Sequence, residues 1–283
     1  MTGNFKITLA HLKELGACRT GQWEFQKAFP DGGEYQEVLD RCAKEGRIDF
    51  GLWLLAHVGT TEDVRVYEDA VNSPGEYIMF AGSVEFKAGT NVRFLAAGGD
   101  IEAGLGIQAG LGIQADWGIQ AGRGIQADWG IKAGGGIQAG LGIQAGLGIQ
   151  AGRGIQAGWG IEAGGGIQAD WDIKAGGGIQ AGLGIQADWG IEAGGGIKAG
   201  LGIEAGLGIE AGWGIEAGRG IEAGRGIKAG GEIKSVLGYG IYAGVSVPVK
   251  DWYRFAVVSA KAKPEYLLSG HWKPLEGTDA QTT

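Results

Sequence analysis

Three histidines, two cysteines and a handful of aspartates at glycine-rich turns are the residues whose types could do chemistry in this 283-residue chain. A histidine can serve as general base near neutral pH. None of His11, His57 or His271 falls within the repeated array that fills nearly half the chain, so all three are read as fold or surface residues. Cys18 and Cys42 are too few for a disulfide framework or a metal site and are expected as reduced core residues. Asp116, Asp128, Asp170 and Asp188 sit at glycine-rich turns, where stacked carboxylates could hold calcium. Such sites need an aspartate in every repeat, and four scattered ones do not supply it. Each of the four precedes a tryptophan, so they are read as a corner variant whose carboxylate caps backbone N–H groups. The recurrent GLG, GRG and GGG lack the strand, lysine and helix N-terminus of a phosphate-binding loop. No catalytic residue, metal, cofactor or small-molecule substrate is therefore expected.

The element carrying these turns is an array of twenty-three hexads, Ile-x-Ala-Gly-x-Gly, from Ile101 to Gly238, in unbroken register. Six residues advance about 600° on an α-helix, which would spiral the isoleucines around the cylinder. In an extended strand, by contrast, Ile at position one and Ala at position three share a side, and the Gln, Glu or Lys at position two faces the other way. Position four is Gly except for the four Asp and Val236, and position six departs from Gly only at Asp172 and Glu232. These two positions read as corners. Because Asp tolerates a left-handed backbone, position four is expected in that region. The fold class predicted is mainly β: a β-solenoid, or parallel β-helix, with a small α-helical N-terminal domain and a β-strand C-terminal cap. Two or three hexads per coil remain open, since the position-five residues match three times at either lag.

Residues 1–60 read as a helical module. Thr8 is a candidate N-cap for a helix carrying Leu9, Leu12 and Leu15 and stopped at Gly16. A second helix runs from Thr20 to Phe29 before Pro30, and a third carries Val38, Leu39 and Cys42 to near Gly46. The fourth opens at Asp49 and turns Leu52, Trp53 and Leu55 inward. Residues 61–100 hold short alternating strands and an irregular first coil, with LAAGGD from Leu95 as a degenerate hexad and FKAG from Phe86 as another, three residues out of phase. Residues 101–238 are the solenoid and 239–272 the β cap, where Pro248, Lys250 and Asp251 would blunt an open edge. Residues 273–283 are expected to be a flexible tail. The Gly-Ala-Cys, Phe-Pro-x-Gly and Trp-Leu-Leu landmarks of the N-terminal part resemble a small helical module of uncharacterised bacterial and prophage proteins. That resemblance covers about a sixth of the chain, implies no activity, and suggests a setting in phage and host conflict.

The formal charge of −8 argues against nucleic acid as a direct ligand. No basic segment followed by an apolar run opens the chain, and no run approaches the roughly 20 apolar residues of a membrane span. A cytoplasmic protein is expected. The period is similar to that of hexapeptide acyltransferases, but their small inward residue precedes the aliphatic one. Here the order is reversed and the array has no histidine, leaving a degenerate transferase as a remote reading. It also has no threonine for an ice-binding ladder. What the array does offer is Trp117, Trp129, Trp159, Trp171, Trp189 and Trp213 at the corner position, alternating with Leu and with Arg123, Arg153, Arg219 and Arg225. Either these rings lie flat over glycine corners, or they form a contact surface for a protein partner or a second copy, with the arginines as its rim. Glu204, Glu210, Glu216 and Glu222, in four consecutive hexads, form the best acidic-patch candidate. The expected function is a non-enzymatic structural or interaction scaffold. The alternative is an inhibitor of a nucleic-acid enzyme by partial DNA mimicry.

Overall fold

Each hexad forms one three-residue strand, from Ile101–Ala103 to Ile233–Ser235, with positions one and three buried and position two turned outward. The computed structural model describes residues 5–275. They divide into two units, one of Met1–Gly122 with Lys132–Gly135, the other of Arg123–Ile131 with Gly136–Thr283.

In the second unit the strands pair in parallel with the strand eighteen residues on, Ile137 opposite Ile155 and Ile143 opposite Ile161. Three hexads therefore make one coil, and each coil contributes a strand to each of three faces. The first face runs from Ile137–Ala139 through Ile155–Ala157 to Ile227–Ala229. The second runs from Ile125–Ala127 to Ile233–Ser235. The third runs from Ile149–Ala151 to Ile241–Ala243. Ile stacks on Ile along the interior of each face, about 4.8 Å apart, and the columns end where Ile227 meets Val258 and Ile241 meets Leu267. Burying one such side chain contributes roughly 1.5–3 kcal/mol.

The corners correct the expectation of left-handed backbone. Among the described residues no non-glycine residue has positive φ, and within the array the only such glycine is Gly238, at the end of the last hexad (φ 73). Position four favours glycine for a steric reason. A Cβ on Gly182 would sit on the Gly164 carbonyl of the previous coil, 3.0 Å from its carbon and closer to its oxygen. At position six the approach is looser: at most of these glycines a Cβ would stand 3.1–3.5 Å from the carbonyl oxygen of the next coil, and at Gly184 it would lie 3.5 Å from the Gly202 oxygen, an ordinary contact. Asp172 and Glu232 use that looser position. Where Asp does occupy position four, the ladder opens slightly. The Asp170 and Asp188 N–H groups donate to Ala151 and Ala169 at 3.2 Å, against 2.9–3.0 Å for Gly164, Gly176, Gly182 and Gly200.

After Ile241–Ala243 the corner is replaced by a 3-10 turn, Val249–Asp251, and a short helix, Trp252–Phe255. The strands Val257–Ala260 and His271–Pro274 then extend the first face, and Leu267–Ser269 extends the third. The last of these strands enters the stretch expected to be a tail, and residues 276–283 lie outside the described residues.

The first unit holds four helices: α1 (Leu9–Glu14), α2 (Arg19–Ala28), α3 (Tyr35–Lys44) and α4 (Ile48–Val58). Thr8 caps α1 by accepting from the His11 N–H at 3.3 Å, and Gly16 ends it at φ 79. In α4 the deepest side chains are Leu54 and Leu55, while Leu52 and Trp53 are half-buried. The helices pack on the strands Val71–Phe80 and Thr90–Ala97, contributing Leu12, Phe25, Leu39 and Leu54 to a core completed by Met79, Ala81, Phe94, Ala96 and Leu111. These strands alternate as expected over residues 71–74 and 90–93 but not beyond. Ile78 through Ala81 are all buried, because both faces are covered. Gln36 on α3 completes the junction: its amide donates to the Met79 carbonyl and accepts from the Ala81 N–H, both at 2.9 Å.

The initial coils are irregular in length. Val84 stands opposite Ile101 and Thr90 opposite Ile107, seventeen residues apart, whereas Leu95 pairs with Ile113 at the regular eighteen. The out-of-phase FKAG is thereby resolved: Phe86 occupies an alanine position, opposite Ala103.

Candidate interaction surface

Eighteen residues per coil sort the position-five side chains onto three edges. Trp159 and Trp213 fall on the edge between the first and second faces, separated by Gly177 and Gly195. Trp129 falls on the edge between the second and third faces. Trp171 and Trp189 fall on the edge that follows the third face, and Trp117 belongs to the first unit. The six tryptophans do not make one strip.

On the third edge of the second unit the residues of five successive coils are Arg153, Trp171, Trp189, Leu207 and Arg225, all exposed. Successive coils bring them into register, and the side chains of Arg153, Trp171 and Trp189 touch. The Trp171 and Trp189 rings stack at 5.5 Å between centroids with 10° between planes. The Arg153 guanidinium lies 5.6 Å above Trp171, and that of Arg225 lies 5.5 Å from Phe255 of the cap. Both tryptophans remain about half exposed, 46% and 49%. Trp213, on the other edge, is 74% exposed, which is not the posture of a ring laid over glycine. Offset stacking contributes roughly 0.5–1.5 kcal/mol beyond area burial, so the pair is held in a fixed orientation. Arg123 and Arg219 lie on other edges and take no part.

Carboxylates surround this ladder. Asp170 and Asp188 precede the two tryptophans and are exposed, and Asp172 follows Trp171 half-buried. None of the four position-four aspartates accepts a hydrogen bond among the described residues, contrary to the expected capping role. The caps are at position six instead: Asp172 accepts from the Gly190 N–H at 2.9 Å, and Asp100 from the Gly118 N–H at 2.6 Å. Burial raises the pKa of Asp116, the position-four residue of the first unit, and Lys132 partly opposes that shift. Beside the ladder runs a groove of about 380 Å³ whose lining includes Asp172, Lys174, Glu192, Glu210 and Lys228.

The acidic patch expected from Glu204, Glu210, Glu216 and Glu222 is dispersed by the three-hexad coil. Glu210 lies on the first face, 2.7 Å from Lys228, and Glu216 on the second, 3.0 Å from Lys198. Only Glu204 and Glu222 are neighbours, in register on the third face. That face differs from the others in the second unit: its position-two ladder is Gln150, Gln168, Gln186, Glu204 and Glu222, with no lysine. Lysines interleave with glutamates on the first and second faces and interrupt any negative stripe there.

The stacked pair left a trace in the sequence. At a lag of three hexads the matches of position five are consecutive, with Trp171, Gly177 and Leu183 repeated as Trp189, Gly195 and Leu201. At a lag of two no more than two are consecutive. A run of three is what one coil copied onto the next produces.

In the helical module Cys42 is buried, and burial pushes its thiol up to about 11. Cys18 is exposed, not in the core, because it stands at the start of α2, where its sulfur accepts from the Gly21 N–H at 3.4 Å. Among the described residues no helix is long and apolar enough to cross a membrane.

No curated protein and no solved structure matches the chain. Residues 1–59, which contain all four helices, match the YdhT N-terminal domain family.

Proposed function

We infer that this protein is a non-enzymatic interaction scaffold, in which the solenoid holds corner side chains at fixed spacing for another protein to read. The observation that carries this reading is the contiguous exposed ladder Arg153–Trp171–Trp189–Leu207–Arg225. An exposed apolar strip rimmed by arginine is the composition of contact surfaces, where aromatic residues and arginine supply most of the binding energy. The stacked strands supply rigidity, because each corner is bonded to its neighbour one coil away. A cytoplasmic setting in conflict between bacterium and phage accords with the reduced thiols and with the resemblance of the helical module.

The test is replacement of all six array tryptophans by serine in the full chain, followed by sedimentation and by pull-down from the native host. Loss of self-association or of a stoichiometric protein partner is expected. Unchanged behaviour in both assays would sink the reading.

A further inference from the structure

We propose that the third edge of the second unit is a docking strip for an arginine-bearing segment of a partner protein, with guanidinium groups seated on the Trp171–Trp189 stack. The proposal rests on the scaffold reading and names the chemistry of its partner. Its first support is a seating already made within the chain: the Arg153 guanidinium occupies one side of the stack, 5.6 Å from the Trp171 ring. The geometry of a cation over an indole face is thus compatible with the spacing of the coils. The second support is charge. Asp170 and Asp188 flank the rings with no ion-pair partner among the described residues, and the cation paired with Asp172 is Lys174, at 3.8 Å, which Glu192 shares. The adjoining face adds Glu204 and Glu222 without a lysine. The third is spacing: corner residues repeat every 4.8 Å or so along the edge, so the two rings and the aspartates that precede them fall within two adjacent coils, in reach of one short segment. Guanidinium suits such a place better than ammonium, since it is planar, stacks on aromatic faces and pairs with carboxylates in a fork.

The probe is octa-arginine, with octa-lysine and octa-citrulline as comparators, titrated into the full-length protein at physiological salt and followed by calorimetry and tryptophan fluorescence. Octa-arginine is expected to bind at least fivefold tighter than octa-lysine, and octa-citrulline not to bind. The W171S/W189S variant should weaken octa-arginine at least tenfold, whereas W159S/W213S, on another edge, should change it less than twofold. D170N/D188N leaves the rings in place and should weaken it about three- to tenfold, which keeps a readout should the serine variant fold poorly. Equal binding of octa-lysine, equal loss in the two tryptophan variants, or no binding of octa-arginine would each overturn the proposal. A scaffold that fails these tests yet loses its partner in the six-tryptophan variant would retain the broader function with a different partner chemistry. A drop in oligomer mass for W171S/W189S without octa-arginine binding would place a second copy on the strip instead.

Discussion

Alanine at Gly182 and alanine at Gly184 should act in opposite directions, although the residues are two apart and both are corner glycines. Neither has positive φ, so backbone preference does not separate them. Space does. At Gly182 the new Cβ lands on the Gly164 carbonyl of the coil before, and the coils must part locally. Aspartate at the equivalent position shows how far they part: the corner hydrogen bond lengthens from 2.9–3.0 Å to 3.2 Å at Asp170 and Asp188. Overpacking of this kind costs about 1–3 kcal/mol. Reduced freedom of the unfolded chain returns about 0.4–1 kcal/mol. Gly182→Ala should therefore destabilise by about 1–2 kcal/mol. At Gly184 the Cβ meets the Gly202 oxygen at 3.5 Å, an ordinary contact, so only the unfolded-state effect remains and Gly184→Ala should stabilise by up to about 1 kcal/mol. In a chain of this length 1 kcal/mol shifts Tm by about 2–4 °C. Thermal unfolding followed by far-UV circular dichroism should then show Gly182→Ala melting about 2–8 °C lower and Gly184→Ala at or above the parent. If Gly184→Ala melts as low as Gly182→Ala, or Gly182→Ala melts with the parent, close approach is not what demands glycine at position four.

Three further outcomes follow from the first unit. A thiol reagent at mildly alkaline pH should modify exposed Cys18 quickly and leave Cys42 until the module unfolds, as mass spectrometry of the peptides would show. Gln36→Ala should destabilise the module by about 1–3 kcal/mol, because it leaves the Met79 carbonyl and Ala81 N–H without their partner. Faster hydrogen exchange of the Ala81 amide would locate the effect, and an unchanged rate would argue against the clamp. Asp116 is held in the folded state with a raised pKa, so its contribution is most favourable at pH below the ordinary carboxylate range and is lost as pH rises through the raised value. Asp116→Asn should accordingly raise the melting temperature near pH 7 and have little effect near pH 3. The same gain at both would remove burial of the charge as its cause.

The hexad exposed its own secondary structure because a two-residue side-chain alternation between glycine corners has no helical solution, and Ile101, Ala103 and their copies are buried as that alternation requires. Thr8 and Gly16 were legible for a similar reason, since helix ends are set by groups within one turn of each other. Several details were not. The role of glycine at position four depends on a carbonyl eighteen residues earlier, not on its own φ. Cys18 is indistinguishable from a core thiol until α2 places it at an exposed end. Leu54 replaces Leu52 and Trp53 as the deepest part of α4 because α3, against which α4 packs and whose Tyr35 hydroxyl donates to the Leu54 carbonyl, fixes its rotation.

By itself, the amino-acid order determined the strands, the inward Ile and Ala columns, the outward polar column and the position of every corner, all of which follow from backbone geometry within six residues. The assembly of three strands into a coil was decided only by the tertiary structure, since a six-residue period closes equally well in two steps or three and the choice rests on packing across the interior. That one decision sorted the surface. It put Trp171 on Trp189 and left Trp159 and Trp213 apart. It also paired Glu210 with Lys228 and Glu216 with Lys198, leaving Glu204 beside Glu222 without a cation between them. Lateral neighbours eighteen residues apart leave only the faint trace of Trp171, Gly177 and Leu183 repeated one coil later, because no short-range force distinguishes them until the coils stack.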